Sequence, residues 1–349
     1  MTNILQDLFL WLSIFGIASS QDPVDHCINT KGKHGKCVHI DYCPELLEIA
    51  QKRVVSAHDS QLLKSNSCGK AMVCCSQSMT ETKVKKMTLP DIDVCGFNHV
   101  SDRIIGGTET ELEQYRWMVV IERLEAGTRE VICGGSLINT LYVLTAAHCF
   151  KGLTKAEDLI LRLGEHNLSS DPDCDSSNNC NAPVIYANVS QIINHPNYRS
   201  ERNDVALLKL ATPIEYTNYV LPICLPVLAS QQKEFLNKHV FAAGWGTNGT
   251  GEALSNIKMH VELKITNLDE CEILFRSEPG EMHLCAKSST DEVGDTCDGD
   301  SGGPLMIELQ GSWFQVGIVN FGLPCGSIFP AVYARVSHFM EWIQDNLLE

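Results

Sequence analysis

Gly299-Asp300-Ser301-Gly302-Gly303-Pro304 is the stretch on which the reading of this chain turns. Taken alone it is a turn, since Gly, Asp and Ser all favour turns. Two other segments change that: Leu144-Thr-Ala-Ala-His148-Cys149 and Asn203-Asp204-Val-Ala-Leu207. Each has a plain reading of its own, a packed strand histidine in the first and a turn aspartate in the second. Together the three supply the parts needed to split an acyl bond. A serine hydroxyl is a weak nucleophile until an imidazole takes its proton, and the imidazole needs a buried carboxylate to fix its tautomer and stabilise its charged form. The glycines around Ser301 leave the backbone open, so the N–H groups of Gly299 and Ser301 can point at a developing oxyanion.

Around these segments, after Arg103, short apolar and β-branched runs recur between turn residues. They are Trp117–Ile121, Leu141–Leu144, Leu159–Leu163, Val205–Leu210, Phe241–Ala243, Phe314–Val319 and Ala331–Val336. Many short strands separated by Gly, Asn and Pro indicate an all-β barrel or sandwich. The end of the chain has a different period. Val336, Phe339, Met340, Ile343 and Leu347 fall at helical spacing and predict a C-terminal amphipathic helix docked on the β structure.

The 349 residues suffice for one large all-β domain and a small module. The net charge of -16 argues against a nucleic-acid partner, because phosphate contacts need clustered Lys and Arg. Sixteen cysteines without zinc-type CxxC pairs indicate disulfides in an oxidising compartment. Leu8–Ala18 is apolar but too short to span a bilayer, and Ala18-Ser19-Ser20 offers small residues for signal peptidase. Residues 1–20 therefore read as a signal peptide, although the segment before Leu8 has no Lys or Arg and carries Asp7. No membrane partner is expected.

Cys27 to Cys75 carries six cysteines, spaced C-x9-C-x5-C-x24-C-x5-C-C. So small a segment buries too little apolar surface alone and needs disulfide staples. Fifteen pairings are open. Cys74 and Cys75 project in different directions, so they should bond separate partners. From Ser76 to about Val94, with Lys83, Lys85 and Lys86, the composition is that of an exposed linker.

In order and spacing, TAAHC, NDVALL and GDSGGP resemble the chymotrypsin-type serine proteases, over a region running from Ile104 to the C-terminus. The resemblance implies a double β-barrel, with His148 as general base and acid, Asp204 as its orienting partner and Ser301 as nucleophile. Arg103-Ile-Ile-Gly-Gly107 resembles the activation site of that family. Cleavage after Arg103 would free the Ile104 amine to pair with Asp300. A buried ammonium is costly without a partner, so such a pair could organise the oxyanion hole and the specificity pocket. Asp295, six residues before Ser301, would lie at the base of that pocket and select Arg or Lys. Gly322 would line one wall. Two departures bear on efficiency: Ala331 stands where most relatives have Gly, and Asn320 where Ser is usual. Asp298 would disfavour acidic residues in the substrate.

The six-cysteine module resembles the clip domain of arthropod proteases, which implies pairs Cys27–Cys74, Cys37–Cys68 and Cys43–Cys75. The protease part would add Cys133–Cys149, Cys271–Cys285 and Cys297–Cys325. Cys95–Cys224 would tether the two chains after cleavage, and Cys174–Cys180 would close a surface loop. The loop from Gly164 resembles one that binds calcium in several clip proteases, with Glu165, Asn167, Ser170 and Asp173 as oxygen donors to a structural Ca2+. An acidic loop held by its disulfide is the alternative. Asn167, Asn188 and Asn248 each begin a glycosylation sequon.

The expected organisation is signal peptide 1–20, clip domain 21–75, linker and activation segment 76–103, and trypsin-like protease domain 104–349. The expected role is that of a monomeric, secreted zymogen, circulating in haemolymph or another extracellular fluid. It would be cut by an upstream protease, would cleave proteins after Arg or Lys in Toll-ligand processing, prophenoloxidase activation or patterning, and would be checked by a serpin. No cofactor is expected for catalysis. The competing readings are a non-catalytic clip-domain scaffold, a digestive trypsin and a venom protease of the same build.

Overall fold

The computed structural model describes residues 26–30, 32–40, 43, 46, 49–50, 56–69, 72–75, 86–97, 108–152, 155–228, 235–247, 253–275, 279–289, 299–323 and 329–349. The chain divides into two compact units, Met1–Val84 and Lys85–Glu349. The signal segment, Lys83, Lys85, Arg103, Ile104, Asn248, Asp295, Cys297, Asp298 and Cys325 lie outside the described residues.

The first unit is a four-stranded antiparallel sheet of β1 (His26–Ile28), β2 (His34–His39), β3 (Ser67–Gly69) and β4 (Met72–Cys75), in the order β1-β2-β4-β3. Helix α1 (Ala57–Ser65) begins at Ser56, whose hydroxyl accepts the Asp59 N–H at 3.1 Å. The apolar centre is small: Cys43, Leu46, Val73 and Cys75. Disulfides Cys27–Cys74, Cys37–Cys68 and Cys43–Cys75 staple it, the same pairs that the clip resemblance implies. Alternation along β4 explains why neighbours choose different partners, since successive side chains leave opposite faces of a strand.

The second unit holds two barrels. The first closes in the order β10-β11-β8-β7-β6-β9. Its strands are β6 (Met118–Glu125), β7 (Thr128–Leu137), β8 (Tyr142–Thr145), β9 (Leu159–Leu163), β10 (Ile185–Asn194) and β11 (Ala206–Leu210). The second comprises β12 (His239–Gly244), β13 (Met259–Thr266), β14 (His283–Ser288), β15 (Pro304–Leu309), β16 (Ser312–Phe321) and β17 (Ala331–Arg335). Pairing of β12 with β13 closes it, and the short β5 (Thr108–Glu109) adds to the outside of β13. One apolar core runs through both, including Trp117, Leu144, Leu161, Leu207, Met306, Trp313 and Ile318. The Trp117 indole N–H donates to Met306 Sδ across the seam at 3.0 Å. Helix α2 (Leu268–Leu274) carries Cys271, bonded to Cys285 on β14. Helix α3 (Val336–Asn346) buries Val336, Phe339, Met340 and Ile343, with Leu347 buried just beyond it, as the helical spacing predicts.

The segment 86–97 departs from the expected exposed linker. Met87 N–H donates to the Leu347 carbonyl at 2.9 Å, and Gly96 exchanges backbone hydrogen bonds with Pro222 and Trp313. Cys95 is 1 % exposed and bonded to Cys224. Apolar Met87 and Leu89, packed against the main core, supply the anchors that the polar residues around them conceal in the sequence.

Two imidazoles in the second barrel are deeply buried. His283 is 2 % exposed, accepts the Gly280 N–H on Nδ1 at 3.0 Å and faces the Glu201 carbonyl with Nε2 at 3.0 Å. His260, 5 % exposed, meets the Tyr115 hydroxyl at 2.9 Å. Burial pushes both below the ordinary histidine range. As pH falls through about 6.5, the unfolded chain takes up protons that these folded imidazoles refuse, so stability is lost on acidification until the lower folded values are reached. Each contributes a slope of up to about 1.4 kcal/mol per pH unit. Urea midpoints should fall between about pH 7 and about pH 5.5; a midpoint flat across that window contradicts it.

Candidate active site

Strand β8 ends at Thr145, and a tight turn of 3-10 helix, Ala147–Phe150, presents His148 beyond it. The Cys133–Cys149 disulfide ties this turn to β7. Asp204 stands just ahead of β11, after Asn203 in a left-handed conformation (φ 53°). The Asp204 side chain is 1 % exposed and meets His148 twice: Oδ2 accepts from the ring Nδ1 at 2.7 Å, and Oδ1 accepts the His148 backbone N–H at 2.8 Å. This double contact sets both ring plane and tautomer, placing the Nδ1 hydrogen on the carboxylate and leaving Nε2 free to accept a proton.

Ser301 sits on a glycine-flanked turn leading into β15. Its carbonyl accepts the Gly134 N–H at 2.9 Å, one residue from Cys133, and the Gly134 carbonyl accepts the Thr145 hydroxyl at 2.8 Å. The backbone of Ser301 is thereby held against the strands that present His148. Gly302, at φ 78°, packs there so closely that a Cβ would lie 2.7 Å from the Gly134 carbonyl oxygen and 3.1 Å from Ala146 N. No residue with a side chain fits that approach.

Asp300 points away from Ser301's strands into a cradle made by Gly244 and Gly246. Its Oδ1 accepts the Gly246 N–H at 2.8 Å, and a Cβ on either glycine would collide with the carboxylate. Sequence reasoning missed this cradle; the Gly-Trp-Gly run at 244–246 is the signal that marks it. Gly322 and Ala331 are neighbours, the Ala331 methyl lying 3.3 Å from where a Gly322 Cβ would stand. Asn320 is turned to a different task from the usual serine. Its Nδ2 donates to the Glu201 carbonyl at 3.4 Å, the same oxygen that His283 holds. Together they pin the loop that leads to Asp204, a role invisible in sequence because the partners are 119 residues apart.

The loop donors Glu165, Asn167, Ser170 and Asp173 are brought together, but their oxygens face protein donors. Asp173 Oδ2 accepts the N–H groups of His166 (2.8 Å) and Asn167 (2.9 Å), while Oδ1 accepts the Ser170 hydroxyl (2.6 Å). Asn167 Oδ1 accepts from Ser169, and the Glu165 carboxylate rests on Arg162. Glu165 Oε2 nevertheless remains a buried oxygen that accepts no hydrogen bond, although the Arg162 guanidinium pairs with it, so the set keeps an oxygen of the kind a hard cation takes. Two cysteine-rich groupings, Cys27/Cys37/Cys68 and Cys133/His148/Cys149, have close ligand atoms, but all their sulfurs are in disulfides and offer no thiolate. Cys174–Cys180 closes its surface loop.

Comparison with known proteins fits this geometry. A family model described as Trypsin matches residues 104–343, and one described as the regulatory CLIP domain of proteinases matches residues 27–75. Melanization protease 1 of Drosophila melanogaster is 34% identical, the match covering 97% of each chain. CLIP domain-containing serine protease B4 of Anopheles gambiae is 36% identical over 92% of this chain and 91% of that one. Among solved structures, the Drosophila Grass clip serine protease of the Toll pathway matches with a TM-score of 0.65 at 29% identity, over 93% of this chain and 99% of that one. A CLIP module followed by a trypsin-type region of two closed barrels places this chain in the trypsin family, as a clip-domain serine endopeptidase.

Proposed function

We propose that the chain is the zymogen of a secreted endopeptidase, cut after Arg103 and then cleaving proteins after Arg or Lys in an extracellular immune cascade. The double contact of Asp204 with His148 carries the reading. With Nδ1 committed to the carboxylate, Nε2 takes the Ser301 hydroxyl proton as Oγ attacks the carbonyl carbon, and returns it to the leaving amine. Water then repeats the sequence on the acyl-enzyme. The N–H groups of Gly299 and Ser301 would receive the oxyanion.

The glycine cradle supports activation by a new amino terminus. Asp300, held there, would be the partner of the freed Ile104 ammonium, a charge costly to bury without one. The proposed partition is signal peptide 1–20, clip domain 21–75, linker and activation segment 76–103, and protease domain 104–349. The Cys95–Cys224 bond would keep both chains together after cleavage. The names of similar proteins, one of melanization and one of the Toll pathway, favour an immune setting with protein substrates and circulation in haemolymph. A serpin is the proposed inhibitor. A non-catalytic scaffold role has no comparable support, since all three triad positions are filled.

The test is amidolysis of Arg, Lys and Phe chromogenic peptides before and after controlled cleavage at Arg103. Activity should appear only after cleavage and prefer basic peptides; silence after verified cleavage overturns the reading. The Ala331 methyl behind Gly322 is expected to narrow the specificity pocket. Ala331→Gly should raise kcat/KM for the bulkier Arg peptide by roughly tenfold, the scale of one methylene's worth of pocket fit. An unchanged or reduced ratio of Arg to Lys turnover contradicts that role.

A further inference from the structure

The loop that delivers Asp204 belongs to the first barrel, running from β10 to β11, yet its tip is held by the second. Its own bonds are local. The His195 N–H donates to the Val205 carbonyl at 3.0 Å at the base, and Arg199 and Arg202 exchange two backbone hydrogen bonds of 3.0 Å around the tight turn of Ser200 and Glu201. From the second barrel, His283 at the start of β14 and Asn320 near the end of β16 both reach the Glu201 carbonyl, at 3.0 and 3.4 Å. We propose that His283 is a positioning residue for acyl transfer: its Nε2 hydrogen holds the Glu201 carbonyl, and through Arg202 and Asn203 it fixes Asp204 against His148. The proposal rests on the reading of His148, Asp204 and Ser301 as the catalytic groups.

The direction of the bond is set by the other ring nitrogen. Nδ1 accepts the Gly280 N–H at 3.0 Å, so the neutral ring carries its one hydrogen on Nε2 and can only donate to Glu201. The ring has little freedom. It is deeply buried and stands edge-on to Phe321, 6.2 Å between centroids, while Phe321 stands edge-on to Phe275 at 5.2 Å. Its main chain is clamped from β17: the Arg335 N–H donates to the Met282 carbonyl at 2.8 Å, and the Arg335 side chain donates through Nε to the His283 carbonyl at 3.2 Å. Burial, with Arg202 and His338 nearby, holds the ring below the ordinary histidine range, opposed by the Glu201 carbonyl and Asp204. At neutral pH it therefore stays a one-way donor.

The link from Glu201 to Asp204 is itself braced. Asn203 stands in the left-handed region at φ 53°, and its Nδ2 donates to the Asn197 carbonyl at 3.1 Å. A shift of the turn is thus passed to the Asp204 carboxylate, whose two bonds to His148 both depend on its place. Small misplacements of a catalytic group cost up to about a hundredfold in rate. His283 is too buried to touch a substrate, so its effect must come through this turn.

The experiment uses the full chain cleaved after Arg103, with a chromogenic amide of a single arginine. His283→Met keeps the volume but has no donor, whereas His283→Gln places an amide NH2 where Nε2 stood. Both lose the ring nitrogen that Gly280 meets, so the difference between them isolates the donor. In His283→Met kcat should fall roughly tenfold to a hundredfold with KM nearly unchanged, and most of the loss should return in His283→Gln. A His283→Met kcat within about threefold of wild type, or an equal loss in both variants, overturns the proposal. Proton spectra of the uncleaved chain read the same coupling without activity. The His148 Nδ1 hydrogen, shared with Asp204 and so far downfield, should move or broaden in His283→Met and keep its place in His283→Gln; an unmoved signal in His283→Met overturns the proposal. If the cleaved wild type is inactive, the protease reading falls and the spectra alone decide the positioning. Should His283→Met fail to fold, nitrogen shifts of the histidine-labelled wild type decide: hydrogen on Nε2 of His283 is expected, and hydrogen on Nδ1 overturns the proposal.

Discussion

Ser301→Ala, cleaved after Arg103, is expected to lose about 10^6 in kcat on an Arg chromogenic peptide while binding it nearly as before. Among the described residues of the turn no side chain can replace the hydroxyl, and the nearby Thr145 hydroxyl is committed to the Gly134 carbonyl. Gly299, Gly302 and Gly303 have no side chains, and Asp300 is turned into its own cradle, with Oδ1 on the Gly246 N–H. The substitution removes one oxygen at a position whose backbone is held through its carbonyl by Gly134, so the fold should be unaffected. A residual rate above water would come from binding and the oxyanion donors alone. The readout is single-turnover amidolysis with the thermal midpoint as control. An alanine variant that keeps more than a few per cent of activity assigns the chemistry elsewhere.

Asp204→Asn is the second large effect, about 10^4 in kcat, and the geometry says why. Aspartate accepts two hydrogens here, one from the His148 main chain and one from its ring. Asparagine can accept only one in that orientation. If its oxygen keeps the backbone N–H, its NH2 faces Nδ1 and forces that nitrogen to become the acceptor. The ring hydrogen then moves to Nε2, the atom that must take the Ser301 proton. Shape, burial and the His148 position are retained while the tautomer is wrong. A pH–rate profile separates this from general damage, because the deficit should shrink at high pH, where hydroxide can take the Ser301 proton that the wrong tautomer cannot accept. A loss that tracks a lowered melting midpoint instead points to structural damage.

Much of the fold was legible because its signals are local. The runs Leu159–Leu163 and Ala331–Val336 are apolar enough to be buried anywhere, and they form β9 and β17. The C-terminal helix showed its period directly. Of the strands that the apolar runs do not cover, β10 exposes every second residue over part of its length, and β13 places Lys and Glu among its apolar residues, so neither forms an apolar run. The segment 86–97 was misread for a related reason. Few anchors and many polar residues look like a tether until Met87 and Leu89 are seen against the core.

The site divides along the same line. Sequence by itself determined the chemical identities: His148, Asp204, Ser301, the glycines around the serine, and the cysteines whose number and spacing demand an oxidised fold. These lie in short contiguous motifs because turns and strand ends need particular residues at particular offsets. Only the tertiary structure decided which distant groups share an environment. His148 meets Asp204 across 56 residues, Lys258 meets the Glu165 loop across 93, and Asn320 meets Glu201 across 119. A buried charge is compensated by whatever the fold brings within a few ångströms, near or far in sequence.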